Sequence, residues 1–476
     1  MSQSSHVLPP SVASAPSLSP PLSSILSAAA AAVAAVINGQ TPDASLQALA
    51  PAVRAGAMDL SYTTLRDFGR GDFLLTQLLE TPLPEVLVHS LLLVALSRLE
   101  RRPEEAHTIV NQATEAATTM GNGRYKGLVN AVLRNFLRRK DALVKAADAD
   151  SVGAARHPAW WIARLRNDYP SEWQEILAAG NTHPPMCLRL NKRRRNGGFA
   201  EHCSVPVERV GCAKPTLHTN SNWHDSFADA GIETCLLNEH ALLLTRPIPV
   251  ERVPGFAAGL CSVQDFGAQA AAHLLDVADG MRVLDACAAP GGKTAHLLEL
   301  ANIELTALDH DARRITRIES NLLRLGLTAT VKLGDAAKPG KWWDGRPFER
   351  ILADVPCTAS GVVRRHPDAK WLRRDVDVAS FAKQQAKIID ALWQTLAPGG
   401  KMLYATCSLF DQENNAQICS FITRHADAQR LPTKLPLTFF GNSSLATDTP
   451  AANELELKLL PNSEHDGFYY ALLQKR

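Results

Sequence analysis

Two kinds of hydrophobic periodicity divide the chain. From Leu22 to about Lys140 the apolar positions recur at helical spacing, with almost no strand alternation. Leu60/Leu65, Leu74-Leu75/Leu78-Leu79 and Val86/Leu87/Leu91/Leu92/Leu96 each mark one helix face. Pro84-Glu85 reads as a helix start with an acid in its first turn. In the last of these segments Val132, Leu133, Phe136 and Leu137 form an apolar stripe, and Arg134, Arg138, Arg139 and Lys140 lie off it. That basic face has two readings: a solvated helix end whose cations suit the helix dipole, or a contact to an RNA backbone. From Arg282 to about Arg424 the pattern changes to short apolar strands alternating with amphipathic helices. Strands are predicted at 282–286, 304–308, 329–333, 350–354 and 401–406, and helices at 294–301, 311–325, 378–396 and 411–424. This alternation predicts a doubly wound parallel sheet whose strand ends line one ligand crevice. A final strand pair is expected at Leu455–Leu460 and Gly467–Leu473.

Between the two patterns, residues 141–153 are rich in Ala and Asp and read as a linker. Trp160, Trp161, Leu165, Tyr169 and Trp173 follow, dense enough to predict a packed cap in preference to a base-stacking platform. Met186–Asn191 alternates like a strand and runs into Lys192-Arg193-Arg194-Arg195, a phosphate contact or plain surface charge. With short strands and turns expected over 203–250, the region from about 155 to 250 reads as a small α+β domain. A helix is expected to begin near Val263-Gln264-Asp265 and to close at Asp279-Gly280.

Composition narrows the class. The 476 residues suit two to four domains. Residues 1–22 are Ser, Pro and Ala with almost no charge and read as a disordered tail. No apolar run reaches the ~20 residues of a membrane span, and the Ala-rich stretch Ile25–Ile37 lacks the basic flank of a signal peptide. Nine cysteines without paired spacing read as reduced thiols, and the absence of Cys-x-x-Cys and His-Glu-x-x-His argues against zinc. A net charge of +2 means that any nucleic-acid role rests on local patches.

The candidate chemistry lies at predicted strand ends. Arg282–Thr294 reads as strand, small-residue turn and helix, the grammar of a nucleotide-binding crossover. It lacks Gly-x-Gly-x-x-Gly, which disfavours a dehydrogenase, and Cys287 stands where a P-loop needs glycine. Asp309 ends the second strand, where an acid typically accepts from ribose hydroxyls; Asp335 ends the third. Asp354-Val355-Pro356-Cys357-Thr358 and Tyr404-Ala405-Thr406-Cys407-Ser408 end two more. Each cysteine alone reads as a buried apolar side chain, but two at strand ends of one crevice point to thiolate chemistry.

Taken in order, Asp-Ala-Cys-Ala-Ala-Pro-Gly-Gly-Lys-Thr, Asp-Val-Pro-Cys-Thr and Ala-Thr-Cys-Ser resemble the S-adenosylmethionine-dependent RNA cytosine-carbon-5 methyltransferases of the Sun type. Arg124–Arg134 is similar to the end of a NusB-like RNA-binding domain, and that fusion, with Gly361–Trp371, points to the branch acting on bacterial 16S ribosomal RNA. The resemblance covers roughly residues 25–476. It implies a multidomain chain: a tail (1–22), an all-α NusB-like N-terminal domain (23–145), a small α+β domain (146–255) and a C-terminal α/β Rossmann-like methyltransferase domain (256–476). It implies Cys407 as the nucleophile, Cys357 as the group that releases product, and Asp354 as the partner of the cytosine ring. For the cofactor, S-adenosylmethionine, it implies Cys287, Ala288, Ala289, Pro290, Gly291, Gly292 and Lys293 around the methionine part and sugar, Asp309 at the ribose and Asp335 beside the adenine, with Asp354 close by. A cytoplasmic, monomeric enzyme without a metal or membrane anchor is implied. Arg364 and Arg365 are expected to guide the RNA strand or to be surface charge. Glu413-Asn414-Asn415 departs from the family's usual Glu-Asn-Glu, a change expected to leave catalysis untouched. Methylation of a different RNA cytosine stands as an alternative, and two further readings meet contrary residues. Intact Cys357 and Cys407 argue against a non-catalytic RNA-binding assembly factor, and Pro356-Cys357 replaces the Pro-Pro-aromatic of an exocyclic-amine methyltransferase.

Overall fold

The computed structural model describes residues 20–195, 227–436, 439 and 455–476. Most of the expected tail, and the part of the 203–250 reading before residue 227, lie outside them. The chain forms two compact units, Met1–Gly153 and Ala154–Arg476.

The first unit is helical: α1 (Leu22–Ile37), α2 (Asp43–Gln47), α3 (Pro51–Leu78), α4 (Val86–Arg101), α5 (Ala106–Ala116) and α6 (Lys126–Ala149). Pro51 sits in the first turn of α3, where its missing N–H has no intrahelical partner to lose. Helix α4 starts one residue after Glu85, which is its N-cap, so the acid precedes the first turn. Leu91 to Leu96 of α4 are buried without interruption, as is most of the apolar face of α1. The expected linker at 141–153 is instead mostly helix. Alanine has the best helix propensity, and Leu143 and Ala147 continue the buried stripe of Val129, Val132, Leu133 and Phe136. Arg70 pins that extension to α3 by pairing with Asp148 at 2.6 Å and with Glu100 at 2.9 Å. Arg134, Arg138 and Arg139 are exposed, and Arg139 donates to the Gln77 carbonyl at 3.2 Å.

A short helix, α7 (Ser151–Ala155), carries the chain across the boundary. In the second unit, α8 (Ala159–Asp168) and α9 (Trp173–Gly180) form the aromatic cap. Trp161 is 1% exposed and meets the Phe410 ring edge-on at 5.2 Å, so these aromatics are core. Next come β1 (Met186–Leu190), α10 (Lys192–Arg195), β2 (Thr234–Asn238), β3 (Ala241–Leu244) and β4 (Cys261–Val263). Their strands make an antiparallel sheet in the order β2-β3-β1-β4.

The large sheet uses β5 (Arg282–Asp285), β6 (Glu304–Asp309), β7 (Thr330–Leu333), β8 (Phe348–Asp354), β9 (Leu396–Thr406), β10 (Ala428–Leu431), β11 (Leu457–Leu459) and β12 (Phe468–Lys475). Helices α11 (Phe266–Leu274), α12 (Gly292–Leu300), α13 (Ala312–Leu325), α14 (Ala369–Leu372), α15 (Asp375–Thr395) and α16 (Asn415–Arg424) accompany it. Helix α11 stops at Leu274, short of the expected Asp279-Gly280. The order is β10-β12-β9-β8-β5-β6-β7, with β11 beside β12. The five strands β5 to β9 are parallel, as expected. The sheet as a whole is mixed, because β12 inserts antiparallel between β9 and β10. Val283 and Leu284 of β5 are fully buried, as a central parallel strand requires. The chain leaves β5 in one direction to β6 and β7 and returns on its other side as β8 and β9. That reversal opens a crevice beyond the carboxyl ends of β5 and β8.

Candidate functional site

The turn after β5 is fixed by its neighbours. Ala286 N–H donates to Leu352 of β8 at 2.9 Å, and Ala288 N–H to Leu308 of β6 at 2.9 Å. Gly291 has φ +94°, and a Cβ there would lie 3.2 Å from the Ile318 backbone, so the turn into α12 requires glycine. Asp285, 1% exposed, accepts from the Thr294 hydroxyl at 2.7 Å through one carboxylate oxygen; its other oxygen, Oδ1, is buried without a hydrogen bond. Burial, reinforced by the nearby Asp354 and Asp309, pushes this carboxyl up to about 7. Burial and the same acids hold the Cys287 thiol well above its ordinary range, so Cys287 stays protonated.

Asp309 is also buried. It accepts from Ala289 N–H at 3.1 Å and Asp311 N–H at 3.0 Å, with the Arg314 guanidinium 3.6 Å away. It therefore braces the turn containing Ala288, Ala289 and Pro290, and Arg314 and Asn321 donate to the Ala289 and Pro290 carbonyls at 2.6 and 2.9 Å. Asp335 is more open. It accepts from Ala337 N–H at 3.0 Å and pairs with Lys338 at 2.9 Å, which lowers its pKa.

In the crevice Lys293, from the first turn of α12, pairs with Asp354 at the end of β8 at 2.6 Å. Burial pulls the Lys293 ammonium down, but Asp354 and the neighbouring Cys407 more than offset it, and the net shift is upward. Lys293 is therefore a fixed cation. Cys357 and Cys407 lie with their sulfurs 3.4 Å apart. The hydrogen bond to Cys407, with burial, raises the Cys357 thiol well above its ordinary value. In the resting pair Cys357 thus keeps its proton, and the Lys293 ammonium lies near Cys407. The structure brings together Asp354, Cys357, Cys407 and Lys293, with Asp285 and Cys287 near Asp354; Asp309 ends β6, and Asp335 follows the end of β7.

A group to which sequence reasoning gave no role stands behind the two cysteines. Glu413, fully buried, accepts from Thr358 N–H at 2.9 Å, the Thr358 hydroxyl at 2.5 Å, the Ser408 hydroxyl at 2.5 Å and the Gln385 amide at 3.0 Å. The sequence marked it only as the first residue of the Glu413-Asn414-Asn415 stretch, with no role attached. Arg189 was missed too. It pairs with Glu299 of α12 at 2.7 Å, both side chains buried, and donates to the Gly292 carbonyl at 2.9 Å. A lone charge inside the apolar strand Met186–Leu190 was the available sign.

The other basic residues do structural work. Arg364 is 2% exposed; it pairs with Asp466 and donates to the Asn462 and His465 carbonyls at 2.7 and 2.6 Å. Arg365 pairs with Asp466 and, at 2.8 Å, with Asp265, the N-cap of α11. Acids from distant parts of the chain pair with both, so neither is plain surface charge. In the run 192–195, Arg193 donates to Ala301 at 2.6 Å and Arg194 to Ala258 at 3.0 Å and Leu325 at 3.1 Å, so these cations cap carbonyls. Among the described residues no helix is long and apolar enough to cross a membrane, and no group of three His, Cys, Asp or Glu side chains could hold a metal ion.

Three family descriptions match the chain: 16S rRNA methyltransferase RsmB/F over residues 272–474, an RsmF/B-like ferredoxin-like domain over 157–197, and the NusB family over 25–138. The chain is similar to the ribosomal RNA small subunit methyltransferase B of Vibrio cholerae, 39% identical over 439 residues (91% of this chain, 92% of the relative). Its counterpart in Salmonella arizonae is 38% identical over 436 residues, 90% of this chain and 92% of the relative. Among solved structures, one titled PH0851 superposes with a TM-score of 0.71 at 20% identity, covering 94% of this chain and 99% of that one. A methyltransferase homolog protein from Pyrococcus horikoshii gives a TM-score of 0.52 at 23% identity, covering 68% and 97%. At these identities the two structures speak for the fold alone.

Proposed function

The chain belongs to the 16S rRNA methyltransferase RsmB/F family, and on that premise we propose that it methylates carbon 5 of a cytosine in 16S ribosomal RNA through a covalent Cys407–cytosine adduct resolved by Cys357. The observation that carries this reading is the pair of sulfurs 3.4 Å apart beside the Lys293–Asp354 ion pair, in one crevice.

The residues fit S-adenosylmethionine as the cofactor. The buried, unpartnered Oδ1 of Asp285 suits a ligand that brings an ammonium group to the small-residue turn. Cys287, Ala288, Ala289, Pro290, Gly291, Gly292 and Lys293 would hold the methionine part and sugar, Asp309 the ribose and Asp335 the adenine side. When bound, S-adenosylmethionine supplies an electrophilic methyl group on a sulfonium.

The chain's own groups supply the rest. Carbon 5 of cytosine is a poor nucleophile. The Cys407 thiolate adds to carbon 6, forming an S–C6 bond and making carbon 5 enamine-like; carbon 5 is then methylated. Asp354 accepts from the amino group and from N3 once solvent protonates the ring there as sulfur adds, and Lys293 holds that carboxylate in place. With Cys407 tied up in the S–C6 bond, the hydrogen bond that raised the Cys357 thiol is lost. Cys357 releases its proton to water and, as thiolate, takes the carbon-5 proton, whose C–H electron pair re-forms the C5–C6 double bond while the S–C6 bond breaks and returns the thiolate to Cys407. A stacked base cannot reach sulfur, so the target cytosine is in a loop or an unfolded segment. The helical residues 23–145 and the small sheet region within 146–255 contribute RNA affinity, the first through its exposed Arg134, Arg138 and Arg139. Removing residues 1–145 is expected to weaken RNA binding and spare cofactor binding.

The test uses Cys407→Ala and Cys357→Ala with cofactor and small-subunit rRNA. The first is expected to be inactive. The second is expected to accumulate a protein–RNA adduct, seen as a slow band on a denaturing gel. Methylation by Cys407→Ala would reject the nucleophile; loss of transfer in the parent as well would favour a binding factor.

A further inference from the structure

Two sulfurs 3.4 Å apart on separate loops need something to hold the loops in register. Cys357 lies in the turn after β8 and Cys407 in the turn after β9. The residue following each cysteine, Thr358 and Ser408, donates its hydroxyl to the same carboxylate oxygen of Glu413, at 2.5 Å in both cases. The other oxygen takes the Thr358 N–H and the Gln385 amide, and Gln385 also donates to the Pro356 carbonyl at 3.0 Å, on the other side of Cys357. The neighbouring Asn414 does the same for Cys407. It accepts from the Thr406 hydroxyl at 2.6 Å and donates to the Ser408 carbonyl at 2.8 Å, so it brackets the cysteine. Tyr404 of β9 donates to the Glu413 carbonyl at 2.6 Å, tying the clamp back to the sheet. All of this is buried. A carboxylate so placed is one of the most demanding groups to bury, and four donors aimed at it offset its desolvation. An apolar core would hold the sheet together without it. What the carboxylate adds is a fixed distance between two loops that carry the reacting atoms.

We propose that Glu413, supported by Asn414, is a positioning residue that sets the Cys357–Cys407 separation and thereby the approach of both sulfurs to the base. This rests on the catalytic reading above for its consequence and on the hydrogen bonds alone for its geometry. Glu413 itself touches no reacting atom.

The test therefore reads geometry and rate separately, in the full-length chain. Geometry is read by treating the protein with diamide and following the Cys357–Cys407 disulfide by peptide mapping. Two S–H bonds break, one S–S bond forms, and two protons and two electrons reduce the diazene to a hydrazine. Rate is read as kcat and KM for RNA methylation at saturating cofactor. In Glu413→Ala the disulfide is expected to form at least ~10-fold more slowly, and kcat to fall about 100-fold with KM within about twofold, the scale of an ångström of misplacement. Glu413→Gln keeps the shape, and hydroxyl rotors can turn to accept from its amide, so it is expected to recover at least about tenfold of both losses. Ser408→Ala, which deletes one donor to Glu413 and leaves the chain's fold to the same core, is expected to show a smaller loss of the same kind and serves if Glu413→Ala does not fold. Disulfide formation and kcat at the parent's values in Glu413→Ala, or in both other variants where it does not fold, would overturn the proposal. An active Cys407→Ala beside a slow-linking Glu413→Ala would remove the nucleophile assignment and leave the clamp standing.

Discussion

Asp354 and the pair Arg364–Arg365 lie within a dozen residues of each other in sequence, and the charged clusters they belong to behave in opposite ways. Lys293–Asp354 stands in the crevice, its side chains 15% and 30% exposed, with one ion-pair contact of 2.6 Å and hydrogen-bonding capacity left over. Arg364 and Arg365 stand just beyond the Cys357 turn and pair with Asp466 and Asp265, and the Arg364–Asp466 side chains are 3% and 0% exposed. Arg364 also holds two carbonyls, so its fork of donors is spent inside the fold. The contrast is one of saturation. A charge whose partners use all its donors is holding loops together; a charge with capacity facing an open crevice is available to a ligand.

This gives a crossed pair of predictions. Arg364→Ala leaves Asp466 buried without its main partner, and breaking such a pair costs about 3–5 kcal/mol. The expected result is a clear drop in the urea midpoint, with kcat of the folded fraction close to the parent's. Lys293→Met should do the reverse. It removes the cation beside Asp354 and Cys407 while the fold keeps its core, so methyl transfer is expected to fall ~100- to 1,000-fold, with an unchanged urea midpoint. If Arg364→Ala instead lost rate at full stability, the saturation argument would be wrong for this cluster, and the arginine would belong to the RNA path after all.

Arg365→Ala tests the middle of the scale. Its side chain is 28% exposed and shares Asp466 with Arg364, so solvent and the second arginine both soften the loss. About 1–3 kcal/mol is expected, read from the same urea titration. A larger loss than that of Arg364→Ala would mean that Asp265, not Asp466, is the acid that anchors the cluster.

The same distinction explains what could be read from the sequence. The crevice was legible because parallel strands put their carboxyl ends on one side, and the motifs at Asp285, Asp354 and Cys407 each sit at such an end. The five parallel strands followed from apolar runs for the same reason. The arginines were not legible, because the acid that neutralises Arg364 lies 102 residues away and charge alone carries no record of a partner. Glu413 stood out as part of a family stretch, but its role was hidden likewise: its donors come from Thr358, Gln385 and Ser408, on three elements. The linker reading of 141–153 failed because Ala and Asp suggest solvent, whereas Leu143 and Ala147 extend a buried stripe whose phase is set by residues before 137. The antiparallel β12 between β9 and β10 was foreseeable as a strand but not in its position, since pairing order is a property of the whole sheet.

The smallest effect separates the two clusters by their response to a ligand. Asp285 belongs to the crevice, and burial pushes its carboxyl up to about 7. Asp265 belongs to the arginine cluster and is also raised, by burial and then by Asp466. In the unfolded chain an aspartate titrates near 3.9. Between about pH 4 and pH 7 the folded protein therefore binds protons that the unfolded chain does not. Stability from these groups is fully present below about pH 4, is lost as pH rises through 7, and is flat above it, a change of about 2–4 kcal/mol for a group shifted this far. Asp285→Asn should remove one of the two contributions and leave a shallower fall in the urea midpoint from pH 5 to pH 8. Saturating S-adenosylhomocysteine, which carries the same ammonium group as the cofactor, should shrink the fall in the parent by favouring the ionised Asp285. It should not shrink it further in Asp285→Asn, because Asp265 is already closed off by Arg365 and Asp466. An equal response in both proteins would place the ligand's ammonium elsewhere, and the unpartnered Oδ1 of Asp285 would then have to be explained by the fold alone.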